Sequence, residues 1–161
     1  DEILSEIKKY SCNLVEITGG EPLVQNESLE LMKILSDQNY EVLLETGGSL
    51  STENVDKKVK IILDFKTPSS KMEKKNFYDN INFLKPNDEV KFVIGDRKDF
   101  EWSKNLITEH KLDEKCEILF SPVFGKIEYK QLSEWILENN LNVSFQIQLH
   151  KHIWEPNQRG V

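Results

Sequence analysis

The sequence predicts an α/β fold built on parallel strands, and three observations carry that expectation. Short β-branched runs recur along the chain, helical patterns lie between them, and polar residues collect where the strands end. Six runs read as strands, at 14–18, 41–46, 60–65, 89–94, 117–121 and 143–149. The clearest helical pattern spans 128–140, where Leu132, Trp135 and Ile136 fall at i, i+3 and i+4 and Asn140 supplies a left-handed stop. Further helices are predicted over about 27–39 and 99–111, with weaker patterns after Ser51 and Met72. A parallel return needs a long connection, and the helices supply it through right-handed crossovers.

Period-two polarity inside these strands adds a cavity to the prediction. Helices covering one face make parallel strands apolar throughout, yet Lys91 sits in the middle of Glu-Val-Lys-Phe-Val-Ile. An ammonium there is costly unless an anion meets it. In the last run Gln146, Gln148 and His150 share one face, and Phe145, Ile147 and Leu149 the other. A polar interior of this kind predicts a (β/α) barrel, or part of one, with a ligand site beyond the carboxyl ends of its strands.

Composition narrows the class. The chain has 161 residues, with 21 Lys and Arg against 28 Asp and Glu for a net charge of −7, so one domain over 1–161 is expected. Hydrophobic residues at 38% are enough for a real core. The acidic balance argues against broad nucleic-acid binding, which depends on cations displacing counterions from phosphates. The apolar runs are strand-sized, far short of the roughly 20 residues that cross a bilayer, so a soluble, cytoplasmic protein without a membrane partner is expected. Two cysteines, Cys12 and Cys116, exclude a disulfide scaffold and read as small buried hydrophobes. With three histidines besides, no self-contained transition-metal site is expected.

Three segments carry candidate chemistry. Thr18-Gly19-Gly20-Glu21-Pro22 lets the backbone approach a ligand while Glu21 offers a carboxylate to an ammonium; a tight strand-to-helix turn with a surface glutamate is the other reading. It lacks the further residues of a phosphate loop. Asp64-Phe65-Lys66 puts an acid and a base on one side of a strand end, suited to a ribose diol and a carboxylate, or simply to each other. His150 is the ligand-recognising member of the pair His150 and His152, and the tail that follows Trp154 is short enough to bring the Val161 carboxylate across a cavity mouth.

These pieces together resemble 7-carboxy-7-deazaguanine synthases of the radical S-adenosylmethionine superfamily. The resemblance rests on Thr-Gly-Gly-Glu-Pro, Glu-Thr-Gly-Gly-Ser, Asp-Phe-Lys-Thr-Pro-Ser-Ser, Asp-Glu-Val-Lys-Phe-Val-Ile, Phe-Ser-Pro-Val, and Gln-Leu-His-Lys with a following Trp and Arg-Gly-Val. It runs from about Glu16 to Val161. It implies a partial barrel of the radical S-adenosylmethionine type. Gly19, Gly20 and Glu21 match the turn that holds the cofactor's methionyl amino group, and Asp64 matches a ribose contact. Lys91 faces the same cavity. Thr18, Lys66, His150 and the C-terminal Val161 match the substrate side. The implied reaction is a radical ring contraction of 6-carboxytetrahydropterin to 7-carboxy-7-deazaguanine with loss of ammonia, a lyase step of queuosine-type 7-deazapurine biosynthesis, with S-adenosylmethionine, a [4Fe-4S] cluster and Mg2+ as cofactors.

Two departures from the family pattern stand out. Gly47 replaces the usual Asn of Glu-Thr-Asn-Gly, and both tolerate a left-handed turn. More consequentially, the Cys-x3-Cys-x2-Cys loop that ligates the cluster is absent from this sequence, as is the segment carrying the Mg2+ contact. The expectation is therefore a barrel lacking its first strand and cluster loop, inactive by itself and self-associating, as a homodimer for example, through an exposed strand edge. The rival readings are a glycyl-radical activase, which shares Gly19 to Pro22 but does not need the C-terminal motif, a cluster-free module binding an adenosyl or pterin ligand, and a sugar-phosphate barrel.

Overall fold

The structure, a computed structural model, describes residues 2–158. A short helix α1 (Glu2–Ile7) leads into strand β1 (Leu14–Ile17), followed by α2 (Glu27–Asp37), β2 (Glu41–Thr46), β3 (Lys60–Phe65), β4 (Glu89–Ile94), α3 (Arg97–His110), β5 (Glu117–Pro122), α4 (Tyr129–Glu138), β6 (Ser144–Phe145) and α5 (His150–Ile153). The six strands form one sheet in the order β1-β2-β3-β4-β5-β6, every neighbouring pair parallel. Sequential parallel order is the barrel progression, here left open between β1 and β6.

Alternation along the strands separates two faces. Val42 and Leu44 of β2, Ile61, Leu63 and Phe65 of β3, and Val90, Phe92 and Ile94 of β4 are buried under the helices. They meet Met32 and Leu35 of α2, Leu106 and Ile107 of α3, and Leu132 and Ile136 of α4 in one hydrophobic cluster. Each such large apolar side chain contributes about 1.5–3 kcal/mol when fully buried. Phe92 and Phe100 both pack edge-on against Phe120, tying β4 and α3 to β5. The same alternation turns Glu45, Asp64 and Lys91 to the opposite, open face.

Local signals fix the helix ends. Asp96 caps α3 by accepting from the Asp99 amide at 2.9 Å, and Lys111 closes that helix in a left-handed conformation. Asn39 and Asn140, at φ of 65° and 49°, mark the stops after α2 and α4.

The structure corrects the sequence reading in three places. Cys116 is buried as expected, but Cys12 is exposed. The weak helical patterns after Ser51 and Met72 form no α-helix; Glu73–Lys75 and Tyr78–Asn82 are 3-10 turns. Fully buried Asn80 explains this, because its side chain accepts from the Thr52 amide at 2.9 Å and donates to the Leu50 carbonyl at 2.9 Å. Side-chain bonds of this kind compete with helical ones. The strand predicted over 143–149 shrinks to Ser144–Phe145, and His150 begins a four-residue helix. No alternation survives, for Ile147 and Leu149 are 36% and 57% exposed. What replaces it is a tether: the Tyr129 hydroxyl lies 2.5 Å from His152 Nε2, and Phe124 packs edge-on against the same ring. The chain after Phe145 is thereby drawn across the open face instead of continuing the sheet.

Candidate functional site

The first strand ends in a turn whose backbone needs glycine. Gly19 and Gly20 have φ of +92° and +59°, and an added Cβ at either would meet nothing within 4 Å, so the requirement is conformational. Glu21 then caps the 3-10 turn Pro22–Val24. Its Oε1 accepts from the Leu23 amide at 3.2 Å and the Thr46 hydroxyl at 2.7 Å, and its Oε2 from the Gly47 amide at 3.1 Å. A carboxylate offers about four acceptor positions, so Oε2 retains one. The turn is thus bolted to the end of β2 by the residue expected to meet an ammonium. At Gly47 a Cβ would stand 3.3 Å from Lys66 Cε and 3.5 Å from Glu21 Oε2, which is why a side chain as large as Asn is crowded there.

The open face carries a charged network. Lys91 Nζ on β4 reaches across β3 to Glu45 Oε1 on β2 at 2.8 Å, while the Thr18 hydroxyl donates to Glu45 Oε2 at 3.3 Å. Burial opposes the Glu45 charge, but the Lys91 bond and charge, with Thr18 and Lys66, outweigh it and hold the carboxyl below its ordinary value. Lys66 Nζ donates to Asp64 Oδ2 at 2.6 Å, and Asp64 Oδ1 is buried without a partner. Burial dominates here and pushes the Asp64 carboxyl up against the pull of Lys66 and Lys91. Asp64 and Lys91 are register partners, so these groups adjoin on neighbouring strands.

Two cavities flank the network. One of about 280 Å3 lies between the sheet and the segment 146–150, lined by Glu16, Glu45, Glu89, Lys91 and Ser121 on the sheet side and by Gln146, Gln148 and His150 on the other. The second, about 240 Å3, lies at the ends of β3 and β4 against Asp64, Lys66, Thr67, Ser69, Val93 and Lys126. Behind it, buried Asp99 accepts from the amides of Ser69 and Gly95, both at 2.9 Å, and from the Ser69 hydroxyl at 2.5 Å, fixing the loop after β3 to the start of α3.

The residues singled out from the sequence therefore cluster at the carboxyl ends of β1 to β3 and beside Lys91 in the middle of β4, with His150 facing them. Lys91 shares a cavity with His150, and Lys66 shares the other with Asp64. Thr18 joins through Glu45. The Val161 carboxylate lies outside the described residues. Sequence reasoning gave no role to Glu16, Glu45, Asp99 or Ser121. For Glu16 and Glu45 the signal was present, since each is an acid at an alternate position of an apolar strand. Asp99 had only a helix-start position to mark it.

No family model matches the chain. It is 42% identical over 165 residues to the 7-carboxy-7-deazaguanine synthase of Chlorobaculum tepidum, a match covering 100% of this chain and 74% of that protein. The synthase of the same name from Clostridium acetobutylicum is also 42% identical over 165 residues, covering 99% of this chain and 75% of that protein. Among solved structures, the crystal structure of QueE from Escherichia coli superimposes with a TM-score of 0.59 at 20% identity, over 90% of this chain and 61% of that one, a likeness of fold.

Proposed function

The chain belongs to the 7-carboxy-7-deazaguanine synthase family, and from that premise we propose that it binds S-adenosylmethionine and a carboxylated pterin on the open face of its sheet. The reaction served is conversion of 6-carboxytetrahydropterin to 7-carboxy-7-deazaguanine with loss of ammonia. The observation that carries this reading is the partnerless, buried Asp64 oxygen beside Lys66 and Lys91 on the open face of the sheet. A buried acceptor without a donor is costly in an empty protein and is satisfied by a ribose hydroxyl. Matches running the length of the chain favour the synthase over a glycyl-radical activase, which has no need of the C-terminal motif.

Each group has a task under this reading. Gly19 and Gly20 bring the backbone close to the methionyl end of the cofactor, and the free lone pair of Glu21 Oε2 takes its ammonium. Asp64 takes the ribose, and Lys66 and Lys91 offset its charge. When bound, S-adenosylmethionine supplies the group that removes a hydrogen from the substrate. Thr18 and the 146–150 segment with His150 hold the pterin and shield it from water. The hard chemistry belongs to the cofactor, and the protein supplies position and electrostatics.

The family also implies a [4Fe-4S] cluster, and the residues present do not fit it. Cys12 is exposed; Cys116 is buried, its thiol pushed up to about 11 by burial and by Asp88. Among the described residues no group of three or more His, Cys, Asp or Glu is placed to hold a metal.

No helix among the described residues is long and apolar enough to cross a membrane, and a cytoplasmic location is part of the proposal. So are a single domain over 1–161 and self-association; among the described residues the outer edge of β1 pairs with no strand. The test is an anaerobic titration of the protein with 6-carboxytetrahydropterin and with S-adenosylmethionine. Binding of both compounds is expected, and a protein that binds neither overturns the reading.

A further inference from the structure

Three carboxylates line the cavity beneath the 146–150 segment, and two of them have a lysine. Glu45 is paired with Lys91 and Glu89 with Lys60. Glu16, which β1 turns to the same open face, makes no hydrogen bond or ion pair with any described residue. Its register partner on β2 is Leu43, whose side chain offers it no donor. Burial pushes its carboxyl up, the charges of Glu45 and Glu89 add to that, and Lys91 offsets only part. On the far side of the same cavity, the buried Ser121 hydroxyl on β5 also has no partner.

Glu16 is exposed on the open face, so water meets it until a ligand enters; unlike Glu45 and Glu89, it keeps all its acceptor positions free for that ligand. Lys91 argues against a metal ion as that ligand, since its ammonium already neutralises Glu45 and repels a second cation. What suits two adjacent carboxylate oxygens is a fork of two adjacent N–H groups. We infer that Glu16 reads the donor edge of the ligand, accepting from the ring N–H and the exocyclic amine of a 2-amino-4-oxopyrimidine. The inference rests on the proposal that a pterin occupies this cavity, and it adds the residue that selects the amino form of the ring. The amides of Gln146 and Gln148 and the Ser121 hydroxyl remain for the mixed donor and acceptor atoms elsewhere on the rings.

The discriminating ligand is one that lacks half of the fork. Pterin-6-carboxylate carries the 2-amino group; lumazine-6-carboxylate has a carbonyl oxygen there, which faces a carboxylate with a lone pair. Both are fluorescent, so their dissociation constants follow from direct titration of the full chain. The wild-type protein is expected to prefer the pterin by about tenfold or more, the size of a charge-assisted hydrogen bond. Glu16→Gln, which keeps size and removes charge, is expected to weaken the pterin by about 10- to 100-fold and the lumazine by less than about threefold, erasing the preference. Glu16→Asp keeps the charge on a shorter arm and is expected to retain a partial preference. A wild-type protein that binds both ligands equally, or a preference unchanged in Glu16→Gln, overturns the assignment while leaving a pterin in the cavity. A wild-type protein that binds neither ligand overturns the pterin reading and the assignment with it.

Discussion

Lys91 and Glu45 are joined at 2.8 Å although they belong to β4 and β2, with all of β3 between them. The pair spans the open face of the sheet, with Lys91 18% and Glu45 28% exposed. Neither residue has an apolar reason to be where it is. Each makes the other tolerable there, and together they set the charge on which a ligand of this face must land.

Replacing Lys91 by Met is expected to cost about 1–3 kcal/mol, because it leaves a largely buried carboxylate with only a weak hydroxyl donor. Urea unfolding measures it. The folded protein holds Glu45 below its ordinary value of 4.5, so the pair's stabilisation is complete above that pH and fades as the pH falls below it. Lys91→Met is predicted to abolish that part of the acid limb. An acid limb identical in the two proteins contradicts the pairing.

Glu21 has a structural and a ligand-binding task, and two substitutions separate them. Thr46→Val removes one bond to the carboxylate and strands the buried Gly48 amide, and is expected to cost about 1–3 kcal/mol of stability with little change in S-adenosylmethionine affinity. Glu21→Ala is expected to weaken that affinity by a further 1.5 to 3 kcal/mol, in the range of about one charged hydrogen bond. Calorimetry on both variants decides it, and equal affinities remove Glu21 from the site.

Asp99 is fully buried and accepts from two amides and a hydroxyl. Asp99→Ala strands the amides of Ser69 and Gly95 and is expected to lower stability by about 3 kcal/mol or more in thermal or urea unfolding. Protection of those amides from hydrogen exchange is expected to fall with it.

Much of the architecture was legible because burial imposes periodicity. Five of the six strands fall where β-branched runs stand, and Glu27–Asp37, Arg97–His110 and Tyr129–Glu138 fall within about two residues of the expected helices. What was not legible depends on contacts remote in sequence. Asn80 replaces helices by side-chain bonds to Thr52 and Leu50, about thirty residues away. The tether from Tyr129 to His152 converts an alternating run into a crossing segment. At the site, single residues such as Asp64 and His150 could be picked out by chemistry, whereas the pairing of Lys91 with Glu45 and the isolation of Glu16 emerge only once the strands are paired in register.

Leu149 tests the corrected path of that segment. A buried position in a strand implies a loss of roughly 2 to 5 kcal/mol on truncation to alanine. At 57% exposure, Leu149→Ala is instead expected to stay within about 0.5 kcal/mol of the parent protein in urea unfolding.

The most direct test of the site as a whole is a pair of titrations on His150→Ala, one with pterin-6-carboxylate and one with S-adenosylmethionine. His150 lines the cavity with Lys91 and Glu16, away from Asp64 and Lys66. Pterin affinity is predicted to fall about tenfold, the lower range for a hydrogen bond to a charged group, while S-adenosylmethionine affinity holds within about twofold. Pterin affinity unchanged in His150→Ala, or a parallel loss of both ligands, would contradict a substrate pocket beneath the C-terminal segment.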